Sequence, residues 1–152
     1  MAVLVLAVCA TACGSGGGPL SAATFTRRAT AMCAHADRRT AAVEIPALDE
    51  YGAATALTTL ISIERRAIRD LHDLRPPRSL QARVDEWLAT LDQLVVEAEF
   101  LRESLRAGDR HIADAIAVRA ARLSLRSQVL AGRVGVSGCT MPTPPSVDPA
   151  VE

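Results

Sequence analysis

The chain has 152 residues, a formal net charge of zero from 17 basic and 17 acidic side chains, and 49% apolar residues. That length suits one domain with a sizeable core, and the charge balance supplies no bulk field toward nucleic acid or an anionic surface. All of the basic residues are arginine and the chain has no lysine and no asparagine, a bias that follows from a high-GC bacterial genome rather than from arginine chemistry.

Residues 2 to 12 are apolar or small. As a helix they would reach about 16 Å, half of the roughly 30 Å of a bilayer core, so they cannot anchor by spanning. The length suits the apolar core of a secretory signal peptide, and Ala10-Thr11-Ala12 supplies the small residues that a signal peptidase requires. The charged segment that usually precedes such a core is absent, which fits a translation start upstream of Met1.

Ala12-Cys13 resembles a bacterial lipobox, in which a small residue precedes a cysteine that is lipidated and becomes the mature N-terminus. Cys9 fits less well, because it follows the bulkier Val8 and has apolar sequence beyond it. Ala10 departs from the pattern, which prefers leucine there. The resemblance implies cleavage behind Ala12, acylation of Cys13, and retention by the lipid on the extracytoplasmic face of the cell membrane. The other reading is an ordinary cleaved signal peptide and a secreted protein. The Gly-Ser-Gly-Gly-Gly run after Cys13 is expected to act as a flexible leash, within a tether that ends at residue 20. Two or more acyl chains anchor stably without a transmembrane helix.

Cys9 leaves with the signal peptide and Cys13 carries lipid, so Cys33 and Cys139 remain as an even pair near the two ends of the folded region. An oxidising compartment would join them, the alternative being two buried free thiols.

Between residues 21 and 139, Pro46, Pro76-Pro77 and Gly108-Asp109 divide the chain into four segments. The spacing predicts helices over about 22–44, 49–74, 79–106 and 109–134. The first is thin in apolar bulk, with Phe25, Ala29, Met32, Cys33, Ala36 and Val43. The second opens at Asp49-Glu50 and places Leu57, Leu60, Ile61, Ile68, Leu71 and Leu74 on one face. The third has Ser79 as its expected N-cap and the strongest stripe, in which Val84, Trp87, Leu91, Leu94, Ala98, Leu101 and Leu105 step by threes and fours. The fourth runs from an Asp109 cap through Ile112, Ile116, Leu123 and Leu130 to a left-handed C-cap at Gly135. Phe25, Tyr51 and Phe100 are expected in the core or at its edge beside Trp87. No window carries a strand pattern. Short connections between helices of matched length favour antiparallel neighbours, so the expected fold is an all-α, up-down-up-down four-helix bundle. In that topology the end of the fourth helix lies beside the start of the first, and the glycine-rich segment would run back along the first helix to bring Cys139 to Cys33. The proline-rich residues 140 to 152 are expected to be a disordered tail.

Phe25-x6-Met32-Cys33, Leu74-Arg75-Pro76-Pro77, Gly108-Asp109 and the closing Val134-Gly135-Val136-Ser137-Gly138-Cys139 resemble the small actinobacterial lipoproteins of unknown function. The resemblance covers most of the mature chain and implies a secreted helical bundle with one disulfide. It implies no particular activity.

Candidates for chemistry are few. No glutamate has a histidine three residues later, the spacing that di-iron bundles use. His35, His72 and His111 lie on three different segments, and Asp70-x-His72 and His111-x-x-Asp114 would bind a metal only if tertiary structure gathered them. The chain has no Cys-x-x-Cys-His for haem and no Gly-x-Ser-x-Gly elbow. The expectation is a protein without catalytic residues, metal or cofactor. Glu97, Glu99 and Glu103 interleave with Arg102 and Arg106 as a solvated face does. Arg65, Arg66 and Arg69, with Arg75 and Arg78 just beyond, form the one polar cluster suited to an anionic headgroup, a wall polymer or a partner protein, with an ordinary charged face as the plainer reading. The expected function is a membrane-tethered, non-enzymatic interaction or structural module of the cell envelope, with an envelope protein or wall polymer as partner. The alternative is a helical bundle that binds a small molecule or metal between its helices.

Overall fold

The computed structural model describes residues 18–44 and 49–139. Cys13, the signal segment and the proline-rich tail lie outside the described residues. The chain forms four helices in order, α1 (Ala22–Ala41), α2 (Glu50–His72), α3 (Gln81–Arg106) and α4 (Arg110–Val134), and consecutive helices pack on one another. This is the expected all-α four-helix bundle.

Local chemistry sets most of the helix ends. Ser21 Oγ accepts from Thr24 N–H, Asp49 Oδ1 from Gly52 N–H at 2.7 Å, and Asp109 Oδ1 from Ile112 N–H at 3.2 Å, so three of the four helices begin with a side chain satisfying a backbone donor that the helix leaves open. α3 corrects the expectation at Ser79. Its N-cap is Leu80, with no side-chain cap, and the loop turns in on itself through Leu80 N–H to Pro77 O at 2.9 Å. α3 and α4 stop in the same way. Gly108 and Gly135 sit at φ values of +70° and +80°, and each helix closes with nested bonds, Asp109 N–H to Ser104 O with Gly108 N–H to Leu105 O, and Val136 N–H to Ala131 O with Gly135 N–H to Gly132 O. A side chain at either glycine would be strained in that backbone.

The core runs the length of the bundle. Trp87 is fully enclosed, with Phe25, Ala29, Cys33, Ile61, Ile68, Leu71, Val84, Leu91, Leu94, Leu130 and Val134 around it. A smaller cluster of Leu101, Ala113 and Ile116 closes the end where α3 turns into α4. Three expected core positions are corrected. Tyr51 and Phe100 are 78% and 58% exposed, and Ile112 is 49% exposed.

The segment after α4 completes the fold. Thr26 Oγ1 donates to Val134 O at 3.4 Å, Ser137 N–H donates to Thr30 Oγ1 at 3.3 Å, and Cys139 is disulfide-bonded to Cys33 with Cα atoms 4.7 Å apart. Residues 135–139 thus run along α1 from its start toward its middle, as the glycine-rich ending predicts. Closing a loop of 106 residues restricts the unfolded chain by about 5 kcal/mol in the chain-entropy account. Alkylation should therefore label neither Cys33 nor Cys139 in the folded, oxidised protein. Reduction should expose both and lower stability by a few kcal/mol, read as a shifted urea midpoint.

Trp87 Nε1 and Ser127 Oγ are buried without a hydrogen-bond partner. Two substitutions separate packing from polarity here. Trp87→Ala should cost roughly 3 to 5 kcal/mol by opening a cavity. Ser127→Ala removes an unsatisfied hydroxyl and should leave stability equal or raised by about 1 kcal/mol in the same urea titration.

Candidate functional site

Ion pairs between helices organise the surface. Arg119 pairs with Glu97 at 3.1 Å, Arg126 with Glu86 at 3.0 Å, and Arg110 with Glu50 at 3.3 Å. Arg65 of the expected cluster pairs with Glu99 across the α2–α3 seam. Glu97 and Glu99 are therefore interhelical anchors, whereas Glu103 holds Arg102 and Arg106 on its own helix as the sequence spacing predicts. Exposed pairs of this kind are worth at most about 1 kcal/mol each, so they orient more than they stabilise.

Arg66 turns to a different neighbour. With Arg39, His35 and Asp70 it lines a polar cleft of about 360 Å³ between α1 and α2, floored by Ala36, Ile63 and Ala67. Arg69 is exposed one turn beyond, on the helix surface that it shares with Arg65. The histidines are also separate. His35 lines this cleft, His72 Nε2 sits 3.1 Å from Asp92 Oδ2, and His111 is exposed on α4. Among the described residues no group of three His, Cys, Asp or Glu side chains is placed to hold a metal ion.

The outer side of α3 and α4 is different in character. Val118, Leu125 and Val129 recur at seven and four residues along α4, and Val96 and Phe100 stand four apart on α3, all about half exposed or more. Between the two helices runs a groove of about 540 Å³ lined by Val96, Leu123, Gln93, Glu97, Arg119 and Arg122, together with Asp92. Of the exposed apolar residues only Val96 lines this groove, so Phe100, Val118, Leu125 and Val129 lie on the surface outside it.

One buried ionisable group escapes the sequence reading. Glu64 is 8% exposed, on the α2 face that carries Ile61, Ile68 and Leu71 into the core. Burial, and then the negative charge of Asp37 on α1, push its pKa up from 4.5 to about 7. The sequence did hold a signal, since Leu57, Ile61, Glu64, Ile68 and Leu71 step by fours and threes.

No protein-family model, curated protein or solved structure matches the chain. The site must be read from its own geometry.

The sign of the Glu64 linkage is fixed by a folded pKa above the unfolded one. The native state keeps a proton that the unfolded chain releases, so this contribution is fully present below about pH 4.5 and is lost as pH rises through about 7. Glu64→Gln should match the parent protein near pH 4 and exceed its stability by about 3 kcal/mol at pH 8. Urea midpoints at pH 4, 6 and 8 measure it, and a constant difference across that range would contradict the assignment.

Proposed function

We propose that the protein is an extracytoplasmic lipoprotein, held to the cell membrane by acylated Cys13, whose bundle is a non-enzymatic interaction module. The observation that carries this reading is the pairing of Cys33 with Cys139. It accounts for both cysteines of the folded region and fits an oxidising compartment. Of the two cysteines that remain, Cys9 lies within the apolar run and Cys13 stands where that run stops and a glycine-rich tether begins. Among the described residues no helix is long and apolar enough to cross a membrane, so attachment by lipid suits the bundle.

The interaction role rests on how the apolar residues are distributed. The centre of the bundle is filled by Trp87 and the side chains around it, and the surplus of exposed valine, leucine and phenylalanine is gathered on α3 and α4. A ligand-binding bundle keeps space and convergent polar groups between its helices. Here the polar cleft lies at the surface between α1 and α2, and the α3–α4 groove with its charged rim suits an envelope protein better than a wall polymer. The resemblance to small actinobacterial lipoproteins supports the same assignment.

Replacing Cys13 by alanine in the native host, with an upstream start restored, should move the protein from the membrane fraction to the medium. Intact mass of the membrane form should exceed that of the chain beginning at Cys13 by the attached acyl groups. Persistence of the Cys13→Ala protein in the membrane would overturn the assignment.

A further inference from the structure

The bundle has two poles, and they differ in charge. Leu20 N–H donates to Arg75 O at 2.8 Å, so the chain coming from Cys13 joins the bundle where α2 ends. Thr26 meets Val134 at the same pole, while Arg110 meets Glu50 at the opposite one. The tethered pole therefore collects the starts of α1 and α3 with the ends of α2 and α4.

Helix electrostatics favour acids at helix starts and bases at helix ends. The far pole meets this through its caps, with Asp49 and Glu50 opening α2 and Asp109 capping α4, and the Arg110 in the first turn of α4 is paired with Glu50. The tethered pole does not. Neither α1 nor α3 has an acidic residue in its first turn. Arg27 and Arg28 lie in the second turn of α1, Arg78 just before α3 and Arg83 in its first turn, with Arg133 in the last turn of α4. All five are exposed, and none forms an ion pair with a described residue. Of the acids at that end, Glu86 is paired with Arg126 and Asp85 accepts from Gln81 Nε2 at 2.9 Å, which leaves Asp70 and Asp73 at the end of α2. Helix stability does not explain arginines at the starts of α1 and α3, whereas an anionic surface facing that pole does.

We propose that the tethered pole, through Arg27, Arg28, Arg78, Arg83 and Arg133, docks on the anionic phospholipid headgroups of the membrane to which Cys13 is fixed. This rests on the lipid-anchored reading. The covalent tether makes the encounter intramolecular, since residues 14 to 20 span at most about 25 Å even when fully extended. Within a screening length of about 8 Å each exposed arginine near such a surface raises partitioning about fivefold. The docked bundle stands upright, with the α3–α4 groove at its side.

The test uses the purified mature chain, from residue 13 onward, carrying Cys13→Ala with its disulfide intact, so that neither the apolar residues 2 to 12 nor a lipid contributes. Co-sedimentation is measured with vesicles of phosphatidylcholine alone and with vesicles containing phosphatidylglycerol. Binding is expected only to the anionic vesicles and is expected to fall steeply with added salt. Reversal of Arg27, Arg28 and Arg78 to glutamate should weaken it by roughly 100-fold or more, while reversal of Arg38 and Arg39, toward the far end of α1, should leave it within about twofold. Circular dichroism checks that each variant is folded, and the salt titration of the parent chain decides the matter if one is not. Equal binding to both vesicles, no binding to either, or retention by soluble polyphosphate with indifference to anionic vesicles would overturn the proposal, the last in favour of a wall polymer. Failure of the anchor reading would show separately, as the absence of acyl mass on the native protein.

Discussion

α1 brings little apolar volume to the bundle. Apart from Phe25 and Cys33, its fully buried hydrophobic positions are Ala29 and Ala36, and burial of an alanine methyl supplies a fraction of what a leucine or isoleucine does. The Cys33–Cys139 bond offsets that deficit by fixing α1 to the chain that leaves α4. The bond in turn depends on the way α4 ends, because the left-handed Gly135 and the buried Val136 redirect residues 137–139 along α1, where Thr26 and Thr30 receive them. A helix stop, two threonines and a disulfide thus act as one device.

The interior tolerates Glu64 for a related reason. It shares a face of α2 with isoleucine and leucine, the charge that acts on it is the like-signed Asp37, and burial favours its protonated form. Deprotonation leaves a charge facing the place where α1, the thinnest partner, meets α2. The bundle is therefore expected to be tightest in mildly acidic conditions, and the first region to loosen as pH rises is the α1–α2 contact rather than the α2–α3–α4 core around Trp87.

Much of the fold is legible in the sequence because the signals are local. Period, proline and glycine breaks, and the Asp49 and Asp109 caps act within a few residues, and the observed helices begin and end within three residues of the ranges they predict. Cys33 and Cys139 were legible by elimination rather than by geometry. Tyr51 and Ile112 lie in the first turns of α2 and α4, where little faces them, and Phe100 lies beside the buried stripe residue Leu101 rather than on the stripe. Ser79 has the right chemistry one position too early, because the loop after Pro77 closes its own turn before α3 begins. Glu64 is hidden in the sequence because a charged residue on an apolar stripe reads as a gap. Arg65, Arg66 and Arg69 are adjacent in sequence, yet a helix sends them to different neighbours, Arg65 to Glu99 and Arg66 to the cleft beside Arg39.

Net charge gave the least guidance of all, and its failure is instructive. A total of zero excludes attraction of the whole molecule to a polyanion, but it says nothing about how charge is distributed along a bundle some 35 to 40 Å long, several screening lengths at physiological salt. Over that distance the two poles are electrostatically independent, so a basic pole attracts an anionic surface while the far pole goes unfelt. Sequence order hides this because antiparallel helices fold positions far apart in the chain onto one pole, Arg28, Arg78 and Arg133 among them. The α3–α4 groove lies on a flank of the bundle, away from the disulfide-bonded segment that runs along α1.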